Sequence, residues 1–198
     1  MYPLFESLCV QDGRVLHGKW HRLRFQKAYQ KFYGGPPNFD ILDQIDVPQK
    51  FCQGIVKLKI GYNDIARQLN FQHYQIQQIK SLRLVPTNDL DYDYKYSERE
   101  KIEALFALRE DCDDVLIVRR GWITDSSYAN VIFFDGKDWW TPEVPLLEGT
   151  CRARLLGESR IKTIALQVKD LKNFQGVKLI NAMRDISLPM IPIEALVY

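Results

Sequence analysis

Three segments in the first half of the chain alternate between polar and apolar residues. They cover residues 55–60, 68–74 and 76–85. Successive side chains of a strand point to opposite faces, so this period of two predicts antiparallel strands with one face in water. The alternation therefore constrains residues 1–85 to a small α/β unit whose main strands follow its helices.

The region before these strands predicts a hairpin and two helices. Residues 5–10 have strand character, and Asp12-Gly13 is a hairpin turn signal. Apolar residues recur at offsets of three and four along residues 17–33, which predicts an amphipathic helix. Residues 41–54 are expected to form a second, short helix that Pro48 interrupts.

Residues 86–94 are polar and acidic and include a proline, which is typical of a linker. We therefore predict an N-terminal domain at 1–85 and a second domain at 95–198. In the second domain the patterns predict helices at 97–110 and 152–160 and a core strand at 115–118. They also predict a hairpin of 130–134 with 137–140, a strand at 177–180, and a closing segment at 191–197.

Composition excludes several classes of function. The 198 residues are 46% hydrophobic with a net charge of +2, so there is no electrostatic case for nucleic acid or membrane binding. No apolar run approaches the roughly 20 residues of a membrane helix, and the first residues do not resemble a signal peptide. A cytoplasmic protein with four reduced thiols and no metal site is the expectation, because the cysteines and histidines lack zinc spacing.

The second half contains an ordered set of residues suited to one kind of chemistry. Lys95 is followed by Asp125, then by Asn130, and then by the turn Gly149-Thr150-Cys151-Arg152. An amine nucleophile, a carboxylate for a ring nitrogen and a helix start that cradles phosphate are what pyridoxal phosphate requires. For each residue taken alone, an ordinary structural role explains it as well: a solvated lysine, a turn aspartate or a helix N-cap.

The order and spacing of this set resemble the class IV aminotransferases, the fold-type IV pyridoxal phosphate enzymes, from Phe5 to Pro192. The resemblance implies a two-domain, D-amino acid aminotransferase-like α/β (α+β) fold in a minimal version. A small α/β N-terminal domain would precede a larger β-barrel-like domain. It also implies pyridoxal 5′-phosphate as cofactor, a homodimer, and an amino acid or aminodeoxychorismate as the small-molecule substrate.

The resemblance assigns roles to individual residues. Lys95 would bond covalently to the cofactor and move the substrate proton, and Asp125 would pair with the pyridine nitrogen. The family usually has glutamate at this second position, so Asp125 is one methylene shorter. Asn130 matches the asparagine that opens the next strand.

The cofactor phosphate would be held by residues from three places. Gly149, Thr150 and Cys151 would bind it at the start of a helix, and Arg24 matches the arginine of a His-x-x-Arg motif. The remaining contacts would come from the loop Asn181-Ala182. Arg24 has an alternative explanation as part of a solvated basic helix face.

The resemblance leaves the reaction open. Arg99, four residues after Lys95, and the Asn181-Ala182 loop favour the aminodeoxychorismate lyases. Arg99 is also a candidate substrate contact, and Arg184 is a candidate for binding the substrate carboxylate. A D-amino acid or branched-chain transaminase is the alternative, although the glycine-rich arginine stretch of transaminases is missing after residue 55. A cofactor-binding relative without turnover is the third possibility.

Overall fold

The computed structural model describes residues 1–88 and 90–198, which form two compact units. The first unit contains Met1–Ile76 and Tyr94–Glu98, and the second contains Gln77–Asp93 and Arg99–Tyr198. This division differs from the predicted boundary at residue 85. The predicted linker at 86–94, apart from Asp89, which is outside the described residues, includes strand residues and the buried Leu90.

The first unit is built on a four-stranded antiparallel sheet with the order β2-β1-β3-β4. The strands are β1 (Leu4–Gln11), β2 (Arg14–Val15), β3 (Ile55–Tyr62) and β4 (Arg67–His73), and the helix α1 is Gly18–Tyr33. Asp12 and Gly13 both have positive φ, 49° and 78°, as a two-residue hairpin between β1 and β2 requires. The predicted hairpin, helix and first two alternating strands are confirmed.

Helix α1 packs on one face of this sheet. Leu58 and Ile60 of β3 and Leu8 of β1 are fully buried in one core with Phe25 and Tyr29 of α1. Each such side chain contributes roughly 1.5–3 kcal/mol through the apolar area it removes from water.

The predicted second helix at residues 41–54 is wrong. Only a short 3-10 helix, Gln49–Phe51, forms there. Proline has no N–H and restricts the residue before it, so Pro48 prevents a helix from running through this region. Gln44 has a positive φ of 45°, which is incompatible with a continuous right-handed helix.

The segment that carries Lys95 lies beside β1. The Phe5 N–H donates to the Lys95 carbonyl at 3.0 Å, and Leu4 forms an antiparallel bridge with Tyr96. The Ser97 N–H donates to the Pro3 carbonyl at 2.8 Å. These bonds make residues 94–98 a short extension of the first unit's sheet and fix the backbone of Lys95.

The second unit is built on a larger mixed sheet whose main path runs β10-β9-β8-β7-β6-β5-β13. Its first strands are β5 (Leu82–Thr87), β6 (Asp114–Arg119), β7 (Trp122–Ser126), β8 (Asn130–Phe134) and β9 (Trp139–Pro142). The later strands are β10 (Lys162–Ile164), β11 (Gly176–Ile180), β12 (Ile191–Pro192) and β13 (Leu196–Val197). Strand β11 pairs with β8 and β12, and the observed pairing leaves β10 and β13 as the two ends of the path.

Strand β5 corrects a prediction about residues 76–85. Within residues 76–85, only the part from Leu82 onward is a strand. This strand, β5, pairs in parallel with β6 and β13 and does not join the antiparallel sheet of the first unit. Leu82 and Leu84 belong to the second unit's core cluster together with Leu116 and Val118. Alternation along one strand predicts its faces but gives no information about its partner.

Two short helices complete the second unit. They are α2 (Glu100–Ala107) and α3 (Thr150–Gly157), close to the predicted positions. In the described part of the chain, no helix combines the length and apolarity needed to cross a bilayer. The predicted mixed α/β architecture is confirmed.

Candidate active site

Asp125 and Asn130 form a buried pair at the junction of β7 and β8. They are paired across the two strands, and the Asn130 side-chain amide donates to Asp125 Oδ1 at 2.8 Å. The same Nδ2 donates to the Leu147 carbonyl at 2.8 Å, and the Leu147 N–H donates to Asp125 Oδ2 at 3.0 Å. The three residues therefore form a closed ring of hydrogen bonds that fixes the carboxylate.

The turn between β7 and β8 is held by its own side chains and by Arg99. The Ser126 hydroxyl accepts the Ala129 N–H at 3.1 Å, and the Ser126 N–H donates to the Ala129 carbonyl at 2.9 Å. Arg99 Nη2 donates to the Ser127 carbonyl at 2.5 Å. Arg99, predicted only as a weak substrate contact, therefore lies beside the turn that positions Asp125.

The environment of Asp125 makes its ionised form less favourable than it is in water. Burial raises the pKa of Asp125 to about 6, although the Asn130 and Leu147 hydrogen bonds and the charge of Arg152 act in the opposite direction. Burial dominates because water is lost on all sides of the carboxylate. A ligand that presents a positive N–H to this group would replace that lost solvation.

The start of α3 lies against the same pair. Gly149 is the N-cap residue, and a Cβ added to it would lie 1.9 Å from Asn130 Oδ1, so only glycine fits there. The N-cap residue Gly149 has no side chain to cap the helix, and Thr150 is buried at the start of α3. The N–H groups of a first helical turn and the positive end of the helix dipole form a suitable anion site. Burial raises the pKa of Cys151 to about 11, so its thiol stays neutral.

Arg152 has a role that the sequence did not reveal. It is buried, and its guanidinium donates to Thr141 Oγ1 at 3.2 Å and to the Pro142 carbonyl at 2.8 Å. Arg152 thereby fastens α3 to the end of β9. Its position in the Gly-Thr-x-Arg turn was the only signal available.

The Asn181 loop reaches the same part of the second unit. Ile180 of β11 pairs with Asn130, so the loop begins directly after the residue opposite Asn130. The Asn181 side-chain oxygen accepts the Met183 and Arg184 N–H groups at 2.8 and 3.0 Å. This arrangement makes Asn181-Ala182 part of a tight turn. The Cys151 thiol lies 3.9 Å from the Arg184 carbonyl, which places this turn beside α3.

Arg184 points into the second unit. It is 5% exposed, and Nη1 donates to the Gln77 carbonyl at 2.7 Å. This contact occupies part of the guanidinium that was predicted to bind a substrate carboxylate. The structure thus gives Arg184 a position beside the Asn181 turn and a bond that fixes residue 77.

Arg24 in the first unit is bound by an acid on β1. Its Nε and Nη2 donate to the two Glu6 oxygens at 2.8 and 2.6 Å, and His21 Nδ1 donates to Glu6 Oε2 at 2.6 Å. Burial would raise the pKa of Glu6, but the Arg24 charge and the His21 hydrogen bond lower it to about 2. Burial lowers the pKa of His21, which favours a neutral imidazole. Glu6 was not predicted; an acid within an apolar strand was its signal.

The structure thus groups most of the predicted residues within the second unit. The group comprises Arg99, Asp125, Asn130, Gly149, Thr150, Cys151, Asn181, Ala182 and Arg184. Lys95 and Arg24 belong to the first unit, where Arg24 bonds to Glu6 on the helix-covered face of the sheet. Lys95 is opposite Phe5 in the strand register, and its positive charge also lowers the pKa of His21, which shares the Glu6 carboxylate with Arg24.

The chain matches a known protein family over most of its length. The sequence profile described as "Amino-transferase class IV" matches residues 64–191, which is more than half of the chain. The chain belongs to the class IV aminotransferase family. This match confirms the resemblance predicted from the sequence. It also confirms the prediction of an enzyme of the pyridoxal phosphate-dependent class.

Similar proteins cover the chain almost completely. An uncharacterized protein of Haemophilus influenzae is 36% identical over 92% of this chain and 98% of its own length. A Haemophilus somnus crystal structure, provisionally named 4-amino-4-deoxychorismate lyase, is 31% identical with a TM-score of 0.83, covering 94% of this chain and 98% of that one. A pyridoxal phosphate-bound hypothetical aminotransferase from Mycobacterium tuberculosis shares the fold, with 17% identity, a TM-score of 0.68, and coverage of 98% and 81%.

The residues of the second unit fit the family's cofactor. Asp125 is a buried carboxylate whose hydrogen bonds come from neutral groups and whose pKa is raised, which suits a cationic ring nitrogen. The start of α3, where the N-cap residue is a glycine, suits a phosphate. Both observations concern the second unit alone and are independent of the family match.

Proposed function

We propose that this chain is a 4-amino-4-deoxychorismate lyase, which eliminates pyruvate and leaves 4-aminobenzoate for folate synthesis. The observation that carries the proposal is the Haemophilus somnus protein of that provisional name, 31% identical over nearly the whole of both chains. Arg99 and the Asn181-Ala182 turn support the same branch of the family, as the sequence resemblance implies.

We propose that Lys95 is the residue that bonds covalently to pyridoxal phosphate. Its backbone is fixed by the hydrogen bond from Phe5, and its Nζ lies 4.8 Å from the centre of the Phe5 ring. The amine of Lys95 would also move the proton that the elimination requires. The bound cofactor supplies an electron-withdrawing ring that stabilises negative charge beside the scissile bond.

The other residues hold and polarise the cofactor. Asp125 would accept the N–H of the protonated pyridine ring, and the ring of bonds through Asn130 and Leu147 keeps its carboxylate oriented. The backbones of Gly149, Cys151 and Ala182, with the Thr150 hydroxyl, would bind the phosphate, with Arg24 and Asn181 as further contacts. Glu6 would then restrict the rotation of the Arg24 side chain.

Two alternatives remain distinct from this proposal. A D-amino acid or branched-chain transaminase would use the same residues but would need a keto acid to accept the amino group. A cofactor-binding relative would bind pyridoxal phosphate without turnover. The alternatives differ from the lyase in products, so one experiment separates all three.

The test measures products from the purified, cofactor-loaded protein. A lyase releases pyruvate and 4-aminobenzoate from 4-amino-4-deoxychorismate without any keto acid. A transaminase acts on amino acids only when 2-oxoglutarate is added. The Lys95→Gln variant should lose activity at least about a thousandfold, since it lacks the nucleophile. Lys101→Gln, an exposed lysine on α2, is the matched control and should keep it. Keto acid-dependent amino transfer without pyruvate release would contradict the proposal.

We also propose that the protein is a homodimer, which rests on the resemblance to the family. Light scattering of the cofactor-loaded protein should give about twice the 23.2 kDa of the chain. A mass equal to that of one chain at the concentration used in the activity assay would contradict it.

A further inference from the structure

The strand register of the first unit places other residues on the same face as Lys95. Phe5 lies opposite Lys95 on one side and pairs with Gly61 on the other, and Ser7 pairs with Lys59. Paired residues in neighbouring strands share a face, so Phe5, Ser7, Lys57, Lys59, Asn70 and Lys95 lie on one side of the sheet. We call this side the Lys95 face. The opposite side is covered by α1.

Strands β3 and β4 contribute mainly polar residues to the Lys95 face. From β4 it receives Gln68, Asn70 and Gln72, which pair with Gly61, Lys59 and Lys57 and are exposed. Among the described residues that the register of β1, β3 and β4 assigns to this face, none is aspartate or glutamate. The charged residues that the register assigns to this face are therefore lysines, and a surface of one charge sign attracts ligands of the opposite charge. This face is complementary to an anion.

Two ammonium groups approach the same aromatic ring on this face. Lys59 Nζ lies 4.5 Å and Lys95 Nζ 4.8 Å from the centre of the Phe5 ring. The ring is nearly buried, with 5% exposed, and its π-electrons attract cations. The contact with Phe5 therefore holds the Lys59 ammonium group near the ring that Lys95 also approaches.

We propose that Lys59 binds a carboxylate of the substrate and thereby selects acidic substrates. This inference rests on the proposed function, in which Lys95 carries the cofactor and the substrate reacts beside it. Lys57 is on the same face of the same strand, two residues and about 7 Å farther than Lys59 along the strand from the residue that pairs with Phe5. Lys57→Gln removes the same charge at that more distant position and is therefore the matched control.

The test compares two ligands that differ only in a carboxylate. Binding of 4-aminobenzoate and of aniline to the cofactor-loaded protein is followed through changes in the cofactor's absorbance. Lys59→Gln should weaken 4-aminobenzoate binding about tenfold and leave aniline unchanged, since one charge-assisted contact is lost. Lys59→Arg should restore most of the binding. Lys57→Gln should change either dissociation constant by less than about twofold.

Each contrary result has a specific meaning. If Lys59→Gln weakened the binding of both ligands equally, Lys59 would only maintain the structure. If Lys57→Gln and Lys59→Gln weakened 4-aminobenzoate binding equally, the effect would be a general electrostatic one. Either result overturns the inference. Failure of the wild-type protein to bind 4-aminobenzoate would also overturn it. Lys59-dependent binding without pyruvate release would refute the lyase proposal and leave this inference standing.

Discussion

At the scale of single residues, Asp125 shows how burial and ligand binding oppose each other. The family usually has glutamate there, and hydrogen bonds from Asn130 and Leu147 fix the orientation of the shorter aspartate. Without cofactor, a carboxylate whose pKa is raised to about 6 destabilises the folded protein when it ionises. The same desolvation strengthens its attraction to a cationic ligand.

This cost gives a pH-dependent prediction for the cofactor-free protein. The folded form of Asp125 holds its proton more tightly than the unfolded form, so stability falls as pH rises from about 4 to 6. The raised pKa corresponds to about 3 kcal/mol in total. The free energy of unfolding of Asp125→Asn, relative to wild type, should therefore increase over this range and level off above it. Urea titrations at several pH values measure it; a difference independent of pH would contradict the assigned burial.

Glu6 behaves in the opposite way. Arg24 and His21 outweigh burial and lower the pKa of Glu6 from 4.5 to about 2. The ionised Glu6 therefore contributes fully to the free energy of unfolding above pH 4.5, and this contribution is lost as pH falls toward 2. Glu6→Gln should be less stable than wild type at pH 6, and the gap should narrow by about 2 kcal/mol at pH 3. Thermal unfolding of both proteins at both pH values tests this prediction. A stability difference between variant and wild type that is the same at pH 6 and pH 3 would contradict it.

At the scale of elements, the contact between α3 and β8 depends on the absence of a side chain at residue 149. Gly149→Ala would force its Cβ against Asn130 Oδ1, which must move and break the bonds to Asp125 or Leu147. We expect a loss of about 2–4 kcal/mol in stability and a cofactor affinity at least about tenfold lower. Gly35→Ala is the control, since nothing lies within 4 Å of an added Cβ there. Equal melting temperatures for the two variants would refute the close contact.

Sequence patterns predicted elements where a local rule decides the outcome. Helix α1 and strands β3 and β4 follow from periodicity, and the β1–β2 turn follows from Asp12-Gly13. The partner of β5 could not be predicted, because parallel pairing with β6 depends on residues far along the chain. The helix expected at 41–54 failed because one proline and one left-handed residue outweigh weak periodicity.

The candidate site was predictable in its main residues and not in the residues that support them. Lys95, Asp125 and Asn130 became candidates because their order resembles that of a family. Glu6, by contrast, acts through its bond to Arg24, and Arg152 acts through its bond to Thr141. The spacing of residues along the sequence does not predict either bond. A buried charged residue needs a partner, but the sequence does not say which one.

At the scale of the whole molecule, a chain of 198 residues contains both units of the class IV aminotransferase fold in a compact form. The Haemophilus relatives match it almost end to end, so this size is shared with them. Lys95 lies in the first of these units, and Asp125 and the start of α3 lie in the second.

The most direct test of this account is to locate the covalent bond to the cofactor. The protein is loaded with pyridoxal phosphate, reduced with borohydride, digested and analysed by mass spectrometry. We predict a phosphopyridoxyl group on the peptide containing Lys95, a visible absorbance band before reduction, and loss of both in Lys95→Gln but not in Lys59→Gln or Lys101→Gln. A colourless loaded protein, or a stable adduct on a different lysine, would contradict the account.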